Sequence, residues 1–120
     1  MDYLNAVLLL GVALNFYGAA KLGAQGFSSM LTAPNPNADG LQYQLFVAGT
    51  AAVFGSMYLY LYFHLSFVVP FLIFGATLKT WAFLLGLLLY RRQLVSRSMF
   101  LEFGLTNGVI AALFWVRIAT

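Results

Sequence analysis

The sequence contains no cysteine, one histidine and three acidic residues. Without cysteine, the chain cannot form disulfides, bind metals through thiolates or use a thiol as a nucleophile. One histidine and three carboxylates are also too few groups for most metal sites and catalytic constellations. We therefore expect no catalytic residue, no metal site and no resident cofactor, whereas a bound lipid or pigment is compatible with this composition.

Charged residues are the second deficit, since they make up 8% of the chain while 62% of it is hydrophobic. Soluble domains average about 25% charged and about 45–50% apolar residues. Such a chain cannot cover a water-facing surface of ordinary composition, which excludes a soluble domain. The net charge is +3, but the basic residues are few and form no stripe, so we expect no nucleic-acid partner.

Four apolar runs are present, each close to the length of about 20 residues that crosses about 30 Å of hydrocarbon. They cover residues 3–20, 42–63, 67–90 and 99–116. The runs are continuous rather than alternating, which favours helices over the strands of a membrane barrel. The sequence therefore predicts an all-α fold, an integral membrane four-helix bundle forming one domain over residues 1–120. We expect a multi-pass protein of a bacterial inner membrane or a eukaryotic endomembrane.

The segments between the runs predict the connections. Residues 22–41 contain a stretch rich in proline, asparagine and glycine, which predicts a loop. A tight turn at residues 64–66 joins the second and third spans, and Ser98 is expected to cap the fourth helix. A cleaved signal peptide is the alternative for the first run, but Asp2 stands where a signal peptide carries positive charge.

Basic residues predict the orientation in the membrane. With four spans, the first and third connections lie on one side and contain Lys21, Arg91, Arg92 and Arg97, whereas the opposite side holds only Arg117. Lys and Arg are enriched in cytoplasmic loops. We therefore expect both connections to face the cytoplasm, and both termini to lie on the non-cytoplasmic side.

Two patterns in the second run predict its surroundings. Its outer end carries alternating tyrosines, which are typical of the aromatic belt at a membrane interface: Tyr58, Tyr60 and Tyr62. Small residues spaced four apart form a stripe that suits close helix packing: Ala48, Ala52 and Ser56.

Lys79 lies in the middle of the third run. An ionisable group at the bilayer centre costs about 2.5–3.5 kcal/mol on insertion scales, so it normally faces protein or a water-filled cavity. Helical spacing places Gly75, Ala82 and Gly86 on the same face as Lys79. Small residues permit the close approach of another helix, so we expect Lys79 to point toward a neighbouring helix.

A polar cluster is predicted around this lysine. In the antiparallel pairing of spans three and four, Asn107 lies about 4–5 Å from the level of Lys79, whereas Glu102 is about 12 Å away along the axis. Asn15 of the first span completes the cluster of Lys79, Asn107, Asn15 and Glu102. Three threonines are candidate additions: Thr77, Thr80 and Thr106. The cluster is interpreted as interhelical glue, as a contact to another subunit's acidic residue, or as a substrate, ion or proton site.

One segment resembles a known family. It resembles the loop-to-helix segment of the small four-helix scaffold of sterol C-4 demethylation, and it consists of Pro36-Asn37-Ala38-Asp39-Gly40-Leu41-Gln42 followed by Phe46 and Thr50. Asn15 also stands where that family has polar residues late in its first helix. The third span of the family carries a histidine and an acidic residue, where this sequence has Lys79. The resemblance implies a tether that holds membrane enzymes together.

We expect a non-catalytic accessory or scaffold subunit of a membrane protein complex, whose partners are the lipid bilayer and other membrane-protein subunits or further copies of itself. The alternative is a small oligomeric transporter or channel that uses Lys79 and Glu102. A third hypothesis is a subunit that binds a lipid, sterol, quinone or pigment.

Overall fold

The computed structural model describes residues 3–120, and this part of the chain is helical without any strand. Four long helices follow a short 3₁₀ turn: α1 (Val7–Thr32), α2 (Ala38–Phe63), α3 (Val68–Arg91) and α4 (Arg97–Ala119). Each is long and apolar enough to cross a membrane. Asp2, whose charge argues against a signal peptide, lies outside the described residues.

The helices pack as two antiparallel hairpins. Helix α1 packs along α2, and α3 packs along α4, while the two hairpins meet mainly through α1 and α4. Helices α2 and α3 are joined by the 3₁₀ turn Leu65–Phe67 but contact each other only sparsely. The bundle is therefore less tightly closed between α2 and α3 than elsewhere.

The hydrophobic core lies in the half of the bundle that contains the α2–α3 turn. Its largest fully buried side chains include Leu8, Tyr58, Leu61, Leu72 and Phe114. Burying a large apolar side chain stabilises a water-soluble fold by about 1.5–3 kcal/mol, but in hydrocarbon the gain comes from close packing instead. This closed half fixes the positions of all four helices.

Tyr58 belongs to this core and is fully buried, so the prediction that it lies in a surface aromatic belt is wrong. Its ring packs edge-on against Phe114, with ring centroids 5.0 Å apart. Gly75 leaves the necessary room, because a Cβ there would lie 2.5 Å from the Tyr58 hydroxyl oxygen. Tyr60 is 52% exposed and remains on the surface.

The first connection is much shorter than predicted. Within the predicted loop 22–41, only residues 33–37 lie outside α1 and α2. Lys21 ends the apolar run without ending the helix, because lysine is a good helix former. Asn37 caps α2, since its side-chain oxygen accepts the backbone N–H of Gly40 at 3.1 Å.

Helix α4 begins earlier than predicted and contains an irregular turn. Ser96 is its N-cap, accepting the backbone N–H of Met99 at 3.1 Å, so the assignment of the cap to Ser98 is wrong. Residues Phe100–Leu105 form a π-helical segment. Such segments are rare and occur frequently at functional sites.

The packing faces of α3 and α2 differ in how well they follow the predicted stripes. On α3, Gly75 and Lys79 are buried, and a Cβ at Gly86 would lie 3.1 Å from the Cα of Gly104 in α4. On α2, Ser56 is exposed, because the buried face rotates toward other residues of the helix: Ala48, Gly55, Tyr58 and Leu61. The predicted stripe is therefore wrong at Ser56, whereas Ala48 is buried and Ala52 is half-buried.

Candidate functional site

Lys79 lies halfway along α3 and is only 3% exposed. Its Nζ donates hydrogen bonds to Oδ1 of Asn15 at 2.7 Å and to Oδ1 of Asn107 at 3.0 Å. The structure thus brings together three of the four residues predicted to form a polar cluster. The contacts join α3 to α1 and to α4.

The two asparagine side chains are held in place by their own amide groups. Nδ2 of Asn15 donates to the backbone oxygen of Ala51 at 3.1 Å, and Nδ2 of Asn107 donates to the backbone oxygen of Phe103 at 2.5 Å. Because both amide nitrogens are engaged in this way, both amide oxygens face the lysine. The cluster therefore surrounds a cation with neutral acceptors.

Tyr58 forms one wall beside the lysine, although the sequence pattern does not single it out as a site residue. Nζ of Lys79 lies 5.6 Å from the centroid of the Tyr58 ring, within the range of a cation–π contact. Its hydroxyl is buried and has no hydrogen-bond partner among the described residues. Gly11 of α1 and Gly75 of α3 both leave room for the Tyr58 ring, and these two glycines are the sequence signals that could have indicated a large side chain opposite them.

Glu102 lies outside the cluster, so its predicted membership is wrong. Its carboxylate forms an ion pair with Lys21 and accepts the hydroxyl of Tyr17 at 3.4 Å. Lys21 reaches Glu102 because α1 continues past the end of its apolar run. Within residues 3–120, no carboxylate contacts Lys79.

The threonine candidates do not extend the cluster. Thr77, Thr80 and Thr106 each donate to the carbonyl four residues earlier in the same helix. Threonine in a helix interior commonly satisfies its hydroxyl in this way. The oxygen of Thr80 also accepts the indole N–H of Trp115 at 3.0 Å, which links α3 to α4.

Three of the four predicted topology-setting basic residues lie at the end of the bundle that carries the first and third connections. Arg91, Arg92 and Arg97 are exposed around the α3–α4 connection. Lys21 lies about three turns before the end of α1 at Thr32 and is engaged with Glu102. This end of the bundle is called the basic end below.

A cavity of about 560 Å³ extends from Lys79 toward the basic end and is called the groove below. All four helices contribute to its walls, which are mainly apolar; they include Leu14, Phe46, Leu78, Ala82, Phe103 and Gly104. Lys79, Asn15 and Asn107 stand at its inner end, next to the closed core. An apolar cavity with a few convergent polar groups is the usual form of a small-molecule site.

The described residues offer few other groups for chemistry. Within residues 3–120, no three His, Asp or Glu side chains come together as a metal site. His64 lies in the exposed α2–α3 turn, with Nδ1 2.9 Å from the backbone oxygen of Tyr60. The groove with Lys79 at its inner end is therefore the candidate functional site.

The interpretation of this site rests on the residues of this chain. The resemblance of residues 36–42 to the scaffold family of sterol C-4 demethylation stays a prediction. Comparisons with protein-family models, with curated proteins and with solved structures give no match.

Proposed function

We propose that this chain is a multi-pass membrane protein that binds a lipophilic molecule in the groove, as a non-catalytic accessory subunit of a membrane complex. Four helices of sufficient length and hydropathy support the insertion into a membrane. The groove is the observation that carries the binding function. The scarcity of reactive side chains favours binding over catalysis.

The size and lining of the groove suit a single lipophilic ligand. Its volume of about 560 Å³ falls within the range of about 300–1,000 Å³ that is typical of small-molecule sites. Side chains such as Phe46, Leu78 and Phe103 give it apolar walls, while its inner end is polar. This combination favours an amphiphile with one long apolar part and one polar head.

The membrane itself is the source of ligand that the architecture favours. Because α2 and α3 contact each other sparsely, the groove is not sealed between the two hairpins. The outward side chains there are large and apolar; Val47 is 50% exposed and Leu78 is 40% exposed. A molecule dissolved in the bilayer would enter sideways without passing through water.

We further propose that the basic end faces the cytoplasm and that both termini lie on the opposite side. The arginines at the α3–α4 connection support this orientation, since short loops rich in Lys and Arg are retained in the cytoplasm. The groove would then occupy the cytoplasmic half of the bundle, with Lys79 near the bilayer centre.

The transporter hypothesis receives less support from the geometry. It depends on Lys79 and Glu102 acting together in one pathway. In the structure, Lys79 is bonded to two asparagines and Glu102 to Lys21, and no described contact joins the two groups. We therefore place binding first.

The accessory role is tested by what the protein carries out of its native membrane. In a mild detergent, we expect the chain to co-purify with other membrane-protein subunits, which mass spectrometry would identify. If cross-linking in native membranes and purification both yield only the isolated monomer, the accessory role is wrong.

The binding function is tested by filling the groove. Ala82→Phe places a large side chain among the lining residues, whereas Val109→Phe makes a matched insertion at a position that is 54% exposed and outside the groove. Both variants would be purified identically, their thermal unfolding compared, and their lipophilic content extracted with organic solvent and measured by mass spectrometry.

We expect one chain-bearing molecule per wild-type protein, retained by Val109→Phe and lost by Ala82→Phe. If both folded variants carry the same lipophilic content, the groove is not the binding site. If the wild type carries no specific lipophile above the bulk lipid composition, the binding function is contradicted.

A further inference from the structure

We infer that the groove takes a single-chain lipophilic carboxylate of the fatty-acid class, with the carboxylate on the ammonium group of Lys79 and the chain directed toward the basic end. This inference rests on the proposed binding function. It adds the chemical class of the ligand, its orientation and the residue that recognises its head.

The charge of the site favours an anionic head. Lys79 is 3% exposed, and its described hydrogen-bond partners are two neutral amide oxygens. An isolated buried charge is costly unless it is paired. The nearest acidic candidate, Glu102, is already engaged by Lys21. A carboxylate brought by the ligand would supply the missing counter-charge.

The hydrogen-bonding capacity of the site also favours an acceptor as the head group. An ammonium group has three N–H donors, and two of those of Lys79 are directed at Asn15 and Asn107. Both asparagine Nδ2 groups are bonded to backbone oxygens. Lys79 thus keeps one ammonium N–H for a ligand, each asparagine amide keeps its second N–H, and a carboxylate is a pure acceptor for these donors.

The depth of the site favours a free acid over a phospholipid. Lys79 is twelve residues from Arg91, or about 18 Å along α3 at 1.5 Å per residue. The phosphate of a phospholipid, whether a monoester or a diester, keeps at least one negative charge near pH 7 and would have to carry it into hydrocarbon to reach this depth. A carboxylic acid reaches it by taking up a proton, because its unperturbed pKa of about 4 makes the neutral form accessible. It returns this proton to water when its carboxylate pairs with the ammonium group of Lys79.

The test uses the full chain in detergent micelles and three probes: oleate, oleyl alcohol and dioleoyl phosphatidic acid. Oleyl alcohol has the same chain as oleate without the charge, while phosphatidic acid presents a phosphate head on two chains. Affinities come from displacement of oleate labelled with ¹³C at the carboxyl carbon, whose NMR shift reports its contact with the ammonium group.

Three variants locate the recognition. Lys79→Met removes the ammonium group, and Asn15→Asp places a carboxylate where Oδ1 of the amide lies, 2.7 Å from Nζ. Arg92→Met removes an equal charge from an exposed residue of the α3–α4 connection that does not line the groove. Thermal unfolding of each variant verifies that it is folded.

We expect oleate to bind the wild type at least about tenfold more tightly than oleyl alcohol, a ratio that corresponds to about 1.4 kcal/mol. Lys79→Met and Asn15→Asp should each remove this preference and the shift of the carboxyl signal, while Arg92→Met should preserve both. If Lys79→Met does not fold, the preference of the wild type for oleate over oleyl alcohol and the loss of this preference in Asn15→Asp still test the inference.

Equal affinity for oleate and its alcohol would overturn the inference but leave the binding function intact, since the chain would still bind. Tighter binding of phosphatidic acid than of oleate would overturn the carboxylate assignment. Failure of all three probes to bind, in a groove that also carries no native lipophile, would contradict the binding function itself.

Discussion

Lys79 holds three helices together at the point where the closed core gives way to the groove. It bonds to Asn15 of α1 and Asn107 of α4 from its position on α3. Interhelical hydrogen bonds in membranes are worth about 0.6 kcal/mol on average. The free energy gained from two such bonds is smaller than the free energy that burying an unpaired ammonium group costs. A purely structural role therefore accounts poorly for a lysine at this position.

The room that Gly75 leaves for Tyr58 gives a prediction at the residue scale. In Gly75→Ala, the added Cβ would lie 2.5 Å from the Tyr58 hydroxyl oxygen and 2.6 Å from its Cε1. Overpacking of this kind costs about 1–3 kcal/mol. We expect a clearly lowered unfolding midpoint, measured by denaturant titration in micelles.

Gly49→Ala is the matched control, because a Cβ at that position of α2 would have no atom within 4 Å apart from its chain neighbours and the helix's own backbone. Alanine is the better helix former by about 1 kcal/mol, so this variant should be as stable as the wild type or more stable. A Gly75→Ala protein that equals Gly49→Ala in stability would contradict the packing described for Tyr58.

Residue patterns predicted the partners of Lys79 better than those of Glu102. An asparagine in each neighbouring run was sufficient to place Asn15 and Asn107, because a buried ammonium group needs acceptors at its own depth. The partner of Glu102 was missed because Lys21 was assigned to the first connection. An apolar run does not show that α1 continues past its end and keeps Lys21 on the helix. The burial of Tyr58 depends on Gly11 of α1 and Gly75 of α3. A residue pattern within α2 alone carries no information about these two glycines.

At the scale of elements, the extension of α1 beyond its apolar run connects it to α4. Lys21 and Glu102 form the salt bridge that results, with each side chain about one third exposed: 33% and 35%. Glu102 belongs to the π-helical segment Phe100–Leu105, whose residues Phe103 and Gly104 line the groove. The ion pair therefore holds the groove wall of α4 against α1.

Exchanging the two charges tests this pair. Lys21→Glu and Glu102→Lys should each destabilise the protein by placing like charges together, and the double exchange should restore most of the loss. The double-mutant cycle should therefore give a favourable coupling between the two positions, and the coupling should be small because the pair is partly exposed. The coupling should decrease at high salt because exposed charges are screened.

A coupling energy of zero would show that the two side chains do not interact, and the assignment of Glu102 to Lys21 would be wrong. Arg97→Glu is a suitable comparison, since it reverses a charge at the same end of the bundle on an exposed residue. We expect this variant to show no coupling with Glu102→Lys.

The sequence predicted the number and order of the helices, because long apolar runs leave few other folds. It did not predict their ends. The helical residues 22–32 lie beyond the apolar run, and their conformation follows from helix propensity and from packing against α2; for example, Gln44 donates to the backbone oxygen of Leu22 at 3.2 Å. Hydropathy measures neither of these effects.

At the scale of the whole molecule, the absence of cysteine makes the orientation directly measurable. Single cysteines at Asn35, in the first connection, and at Ser66, in the α2–α3 turn, would both be exposed. We expect a membrane-impermeant maleimide added to intact cells or sealed vesicles to label Ser66→Cys from the non-cytoplasmic side, and to label Asn35→Cys only after permeabilisation.

Labelling of both positions from the same side would contradict a four-span topology. The reversed pattern would preserve the four spans and contradict the orientation. The wild-type chain, which contains no cysteine, is the control for unspecific reaction.

The two-hairpin architecture explains why the molecule is closed at one end and open at the other. The core residues hold α2 and α3 together beside their turn, while the groove opens toward the basic end. The location of the groove could not be predicted from the sequence, because it arises from the spacing between two hairpins that are each packed well. Its polar inner end, in contrast, was indicated by Lys79.

Photocross-linking of a lipophilic carboxylate tests the central claim most directly. A fatty acid with a diazirine in its chain would be added to the purified full-length protein, irradiated, and its attachment sites mapped by peptide mass spectrometry. We predict attachment to groove residues such as Leu14 and Phe103, which are not exposed on the outer surface, competed by oleate and lost in Ala82→Phe. Attachment spread evenly over outward residues such as Val53 and Val109, without competition, would contradict the account.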